Sequence, residues 1–228
     1  MQTRMIYLAR RNPSTTHDEF VVNWREHIAL GGQFPSVYRR FTEVVQCDVI
    51  VDPDLAGTDA DVPGGFDGIE IAAARDLPTS ISVWRDEAAQ THLVPDERRV
   101  FATIVQDLAL QALGSVLIDG PRTPYVLARL LTRDPGLSRE DFIREWSAVP
   151  LPDHSTVRRY ARNYIILDPP AGVPFDGVDE VWFDTADDMD AYVDHVHGSD
   201  DPAETRLLKQ TPISLPTRVG IAFPPLST

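Results

Sequence analysis

His27 is the side chain here best suited to proton chemistry. It follows Trp24 by three positions and Phe20 by seven, so a helix would set all three on one face with Ile28 beside them. An unperturbed imidazole titrates near neutral pH, and burial among such neighbours decides whether it works as acid or base. A histidine on an apolar face can equally be plain core. The chain itself separates the two readings, because a second copy of the segment carries Trp146 in the place of Trp24 and Val149 in the place of His27. A small aliphatic packs adequately there, so His27 serves something other than filling space.

Other candidates are weighed in the same way. Tyr7 and Arg129 occupy matching places on two predicted first strands; Tyr7 could donate a proton and Arg129 could anchor a carboxylate or enolate, unless both are strand-end residues reaching water. Trp24, repeated as Trp146, suits packing or stacking on a ligand. Ala72-Ala73-Ala74, set against Glu180-Val181-Trp182, leaves room beside His27 around Ala74, with Trp84 as the neighbour able to take it up and Trp182 filling the other half. The run from Asp194 to Asp201 has the composition of a metal site but follows a predicted helix end into a solvated loop. The acidic loop Asp52 to Asp67 lacks the terminal Glu of a calcium loop, and no metal is expected. Lys209 is the only lysine, which argues against Schiff-base chemistry. No phosphate-cradling glycine loop or Gly-x-Ser-x-Gly elbow is present.

The duplication extends to the elements that must position these residues. Arg11 to Trp24 returns as Arg133 to Trp146, Arg39-Arg40-Phe41 as Arg158-Arg159-Tyr160, and Phe66-Asp67-Gly68-Ile69 as Phe175-Asp176-Gly177-Val178. Apolar runs at Met5 to Ala9 and Tyr125 to Leu131 predict first strands. Thr16 with Glu19, and Ser138 with Asp141, predict helix caps. Strands are expected at Phe41 to Val51 and Tyr160 to Leu167, and again after the Asp-Gly turns. Helices are expected at Thr79 to His92, Asp96 to Ala112, Asp187 to Val196 and from Ala203, and last strands at Ser115 to Ile118 and Val219 to Phe223.

Each half therefore reads β-α-β-β-α-β, an α+β fold of two ferredoxin-like repeats, residues 1–120 and 121–228, joined by the stiff linker Asp119 to Pro124. Continuous apolar strands need both sheet faces covered, which predicts the two sheets packed against each other as an intramolecular dimeric α/β barrel. A pocket is expected between sheet and helices.

A formal charge of −14 over 228 residues argues against nucleic acid and anionic membranes as partners. Cys47 is the lone cysteine, and no signal-like or membrane-spanning apolar run is present, so the expected location is cytoplasmic.

The strand through Pro13, Glu19, Phe20 and Trp24-Arg25-Glu26-His27-Ile28-Ala29-Leu30, with Asp67-Gly68 and Asp96 to Phe101, resembles the EthD family of small ferredoxin-like proteins. The second half matches through Trp146 and then departs at Ser147-Ala148-Val149-Pro150, without the motif histidine. The resemblance implies a dimeric α/β barrel with no required cofactor, and links to ether degradation and to decarboxylation or dehydration of aromatic polyketides. The leading expectation is a cofactor-independent lyase or isomerase, acting by decarboxylation, dehydration or cyclisation on a small hydrophobic or aromatic carbonyl compound. His27 is its general acid/base, and Tyr7, Trp24, Ala74, Trp84 and Arg129 contact the substrate. The alternatives are a non-catalytic binder of a hydrophobic metabolite and a haem- or oxygen-dependent barrel enzyme with His27 as axial ligand. The chain would be a monomer with an internal pseudo-dimer, or a homodimer.

Overall fold

The computed structural model describes residues 1–51, 63–151, 155–197 and 202–226. Strand β1 (Gln2–Ala9) leads into helix α1 (His17–Gly31). The Thr16 hydroxyl accepts the Glu19 amide while the Glu19 carboxylate accepts the Thr16 amide at 2.8 Å, the reciprocal cap expected from the spacing. The short α2 (Pro35–Tyr38), β2 (Phe41–Val49), β3 (Gly68–Ala74), α3 (Leu77–Ile81), α4 (Val94–Val100) and β4 (Ala109–Ile118) complete the first half. The second half has β5 (Tyr125–Leu131), α5 (Arg139–Ala148), β6 (Arg159–Ile165), β7 (Gly177–Phe183), α6 (Ala186–His197), α7 (Pro202–Leu207) and β8 (Ile213–Phe223).

The helices of the first half differ from expectation. Thr79 to His92 is broken into α3, a 3-10 turn and a π-helical turn. The helix expected over Asp96 to Ala112 ends at Val100, where Phe101 turns extended, and Ala109 to Ala112 already belong to β4. Ala109, Leu110, Gln111 and Ala112 favour helix by propensity. Pairing with β1, joined from Ala112 onward by β6, overrides that preference. β8 likewise begins at Ile213, well before the expected Val219.

The strands close into one barrel in the order β1-β3-β2-β8-β5-β7-β6-β4, every ladder antiparallel. The N-terminal strands run β4-β1-β3-β2 and the C-terminal strands β8-β5-β7-β6, the same order of equivalent elements. Instead of merely stacking, the two halves hydrogen-bond edge to edge through β2 with β8 and β4 with β6, which leaves no open strand edge. The barrel interior holds Ile6, Leu8, Ile69, Ile71, Val126, Leu130, Val178 and Trp182. It also holds a polar tie between the halves: Arg4 pairs with Glu180 and donates to Asn163 at 3.2 Å, and the Trp182 indole donates to Glu180 at 2.7 Å. Gly114 permits this, since a Cβ there would lie 2.6 Å from Arg4 Nε.

Strand register corrects two of the sequence equivalences. Met5 pairs with Ala72 and Leu127 with Val181, so Ala72-Ala73-Ala74 corresponds to Val181-Trp182-Phe183, one residue later than the sequence comparison set it. Trp182 therefore points into the barrel, not into the second half's helix layer. Val44 pairs with Ala72 and Tyr160 with Val181, so Tyr160 corresponds to Val44 and not to Phe41. The β-bulge between Phe41 and Glu43 shifts the register there.

Residues 1–120 expressed alone would leave β2 without β8 and β4 without β6, with the barrel interior open to water. Such a fragment is expected to aggregate or to melt without cooperativity. A soluble monomer with a sharp thermal transition would refute the dependence of each half on the other.

Candidate active site in the N-terminal half

A cavity of about 320 Å3 lies between the outer face of the N-terminal sheet and α1. Its floor is Met5 and Tyr7 of β1, Val44 of β2 and Glu70 of β3. Its walls include Trp24, His27, Ile28 and Gly31 of α1, together with Tyr38, Trp84, Leu93, Glu97 and Phe101. Gly68 lets Trp24 settle onto the sheet, because a Cβ at this position would fall 2.2 Å from the indole. Four of the expected site residues, Tyr7, Trp24, His27 and Trp84, meet at this cavity. Ala74 is buried at the far end of β3 beside Phe41 and is not part of the lining, and Arg129 belongs to the other half.

His27 is held by a chain of charges. Its Nδ1 lies 2.9 Å from Asp96 Oδ2, Arg99 Nε donates to Asp96 Oδ1 at 2.9 Å, and Arg99 also donates to Asn23 at 2.6 Å. Phe101 meets the imidazole edge-on, ring centres 5.4 Å apart. Burial holds the His27 pKa below its ordinary value; Asp96 opposes this and Arg99 adds to it. Burial would raise Asp96, but hydrogen bonds from Arg99 and then His27 outweigh it and keep its carboxyl low. An ionised Asp96 accepts the Nδ1 proton, which leaves Nε2 of the neutral ring as a proton acceptor.

Two polar groups that sequence reasoning missed, Glu70 and Gln46, lie beneath α1 beside the expected Tyr7. Tyr7, Glu70 and Gln46 are cross-strand neighbours on β1, β3 and β2, so their side chains share one face of the sheet. The Tyr7 hydroxyl and both ends of the fully buried Gln46 amide lack hydrogen-bond partners among the described residues. Burial pushes Glu70 up to about 7, with no neighbouring cation to oppose it. Burial, then Glu97 and Glu70, raises the Tyr7 phenol well above its usual range. Burial also raises Glu97, against a hydrogen bond from the Val105 amide at 2.9 Å. The available signal was Glu70 itself, a lone carboxyl in the apolar run Gly68-Ile69-Glu70-Ile71-Ala72.

The second half handles the same positions differently. Arg129, Asp179 and Arg162 correspond by register to Tyr7, Glu70 and Gln46. Asp179 accepts from Tyr160 Oη at 2.7 Å and Trp146 Nε1 at 3.3 Å, and lies 3.7 Å from Arg129 and 3.8 Å from Arg162. Arg129 also pairs with Glu204 at 2.5 Å. Phe183, Met189 and Tyr192 pack the remaining space. Helix α5 spans 10 residues where α1 spans 15, so among the described residues no helical side chain stands in the place of His27; Val149 is the C-cap of α5 and packs against the cluster of Phe142 and Trp146.

Among the described residues no group of three or more His, Cys, Asp or Glu could hold a metal ion. Residues 198–201 and 52–62, parts of the two loops considered for metal, lie outside them. No described helix is long and apolar enough to cross a membrane. A haem fits this donor set poorly: its propionates need cations, and the cavity lining offers Glu70 and Glu97 but neither lysine nor arginine.

No protein-family profile and no curated protein sequence matches the chain. Solved structures do match in shape. An anthrone oxidase-like protein shares 13% identity at a TM-score of 0.63, covering 96% of this chain and 91% of its own. A monooxygenase-like protein from Fusobacterium nucleatum shares 6% at 0.59, covering 96% and 93%. Chlorite dismutase from Candidatus Nitrospira defluvii shares 12% at 0.53, covering 96% and 91%. The chain has the dimeric α/β barrel fold of these proteins.

Glu70 makes stability depend on pH in a defined direction. Its folded-state pKa of about 7 exceeds the ordinary 4.5, so the folded protein holds the proton more tightly. Its contribution to stability is fully present below about 4.5 and is lost as pH rises through about 7. Urea melts of wild type and Glu70→Gln from pH 5 to 8 should diverge, the variant gaining about 1 to 3 kcal/mol relative to wild type by pH 8. Parallel curves would show that Glu70 carries its charge without penalty.

Proposed function

We propose that the chain is a tandem EthD-like enzyme of two ferredoxin-like repeats, and that its N-terminal cavity moves protons on a small, largely apolar carbonyl compound without a required cofactor. The observation that carries this reading is the imidazole fixed by Asp96 on one wall of an apolar cavity whose floor holds an uncompensated carboxyl and an unpartnered phenol. His27 Nε2 takes a proton from the carbon next to the carbonyl. The electron pair moves onto the carbonyl oxygen, which accepts a hydrogen bond from Tyr7 and a proton from neutral Glu70. The resulting enol is the intermediate shared by isomerisation, dehydration and cyclisation of such compounds. The proton held by His27 returns to a different carbon, or to a departing hydroxyl that leaves as water, while the enol oxygen gives its proton back to Glu70 and the carbonyl re-forms. A single chain supplies all eight barrel strands, which supports a monomer with an internal pseudo-dimer.

Two other readings make different demands. A binding protein for a hydrophobic metabolite would use the cavity and not the titrating groups. Oxygen-dependent oxidation of the same carbanion-like intermediate is suggested by the anthrone oxidase-like and monooxygenase-like structures, and uptake of oxygen during turnover would reveal it.

The required protonation states, neutral His27 and neutral Glu70, predict a bell-shaped rate profile. Activity should rise with pH as His27 loses its proton below the ordinary 6.5 and fall as Glu70 ionises near 7. His27→Gln should lose the rising limb and roughly 10²- to 10⁴-fold in rate, whereas Glu70→Gln should lose the falling limb. Ligand affinity that is flat with pH and unchanged in His27→Gln, with no turnover of carbonyl compounds, would replace the enzyme by the binding protein.

A further inference from the structure

The two halves together indicate what the cavity can hold. Each carries a buried carboxyl at the same place on its third strand. In the second half that carboxyl, Asp179, stands between Arg129 and Arg162 and accepts two further hydrogen bonds. In the first half Glu70 stands between Tyr7 and Gln46, which bring no charge. The fold can therefore supply cations at this row and supplies none where the cavity is open.

We propose that the N-terminal cavity selects an uncharged aromatic compound bearing a hydroxyl or carbonyl group, and rejects the same ring system carrying a carboxylate. This deepens the proposed activity and rests on it for the assignment of the cavity as the site. A carboxylate entering here sheds its water, meets neither lysine nor arginine in the lining, and faces Glu70 and Glu97. A neutral hydroxyl or carbonyl instead finds the free Tyr7 Oη, the acceptor Nε2 of His27 and the Glu70 carboxyl, which between them offer donors and acceptors. Trp24, Trp84 and Phe101 provide aromatic walls. A volume of about 320 Å3, at the small end for ligand sites, accommodates two or three fused rings. Arg129, the cation that could have anchored a carboxylate, is spent on Asp179 and Glu204 in the other half.

The test is titration of the full chain at about pH 7.5 with three probes of one ring size: 2-naphthol, 2-naphthoate and 2-naphthylmethylammonium. Tryptophan fluorescence and calorimetry serve as readouts. 2-Naphthol should bind at least about tenfold more tightly than 2-naphthoate. Glu70→Gln should narrow that gap by admitting the carboxylate. Gly31→Phe, which projects a ring into the cavity from a Cβ position 3.8 Å from Leu93, should abolish binding while the protein still melts cooperatively. Equal or tighter binding of 2-naphthoate overturns the selectivity and leaves the proton-transfer reading intact. Preference for the ammonium probe overturns it in favour of a cationic ligand, with the carboxyls as its counter-charges. Binding of no probe, or binding that Gly31→Phe does not alter, removes the cavity as a ligand site and takes the proposed activity with it.

Discussion

The molecule depends on the hydrogen bonding of strand edges. Each half provides four strands and so two edges, and an edge left open exposes a row of unpaired amides and carbonyls. Pairing β2 with β8 and β4 with β6 satisfies both halves at once. Closure then fixes where chemistry can occur. The barrel interior is filled by aliphatic side chains, Trp182 and the Arg4–Glu180 pair. The apolar cavity lies outside the barrel, beneath α1, whereas side chains of β7 and α6 fill the corresponding space in the other half.

The length of each helix is coupled to the row of residues below it. In the second half Arg162 donates to the carbonyls of Trp146 at 2.6 Å and Val149 at 2.8 Å, capping the end of α5, while its guanidinium also neutralises Asp179. The helix stops there and the charge is matched. In the first half Gln46 stands in the place of Arg162 and α1 runs past Trp24, bringing His27, Ile28 and Gly31 over the sheet. The cap and the extension are alternatives, since a helix that continues has no terminal carbonyls at that point for an arginine to take.

The architecture was legible because segments that recur along the sequence allow each reading to be checked twice. Thr16 and Ser138 both cap helices, and Gly68 and Gly177 both open third strands, as their repeated spacing indicated. Legibility failed where a local preference opposed a tertiary demand. Ala109 to Ala112 favour helix alone, and their partners on β1, with β6 joining at Ala112, make them strand. The site was partly legible. His27 stood out by its absence from the second segment, whereas Gln46 and Arg162 were not matched, because the Arg-Arg-aromatic landmark lies three residues off the register of the ladders, of which the bulge in β2 accounts for one. Without that match, Arg129 looked like a ligand anchor, although it is committed to Asp179.

The same comparison sets a carboxyl with compensating partners beside one without them. A buried carboxylate needs compensating charge or hydrogen bonds, and lacking both it takes up a proton instead. Asp179 has two arginines, a phenol and an indole around it. Glu70 has two uncharged neighbours whose own hydrogen-bonding groups are unspent, in a cavity that admits a ligand. Such unspent capacity destabilises the protein on its own, by roughly 1–3 kcal/mol for each buried group left unpaired. The second half shows that this fold can instead set two arginines beside the carboxyl at this position. The persistence of the unspent groups beside His27 is accounted for if a bound molecule with its own hydroxyl or carbonyl completes the row.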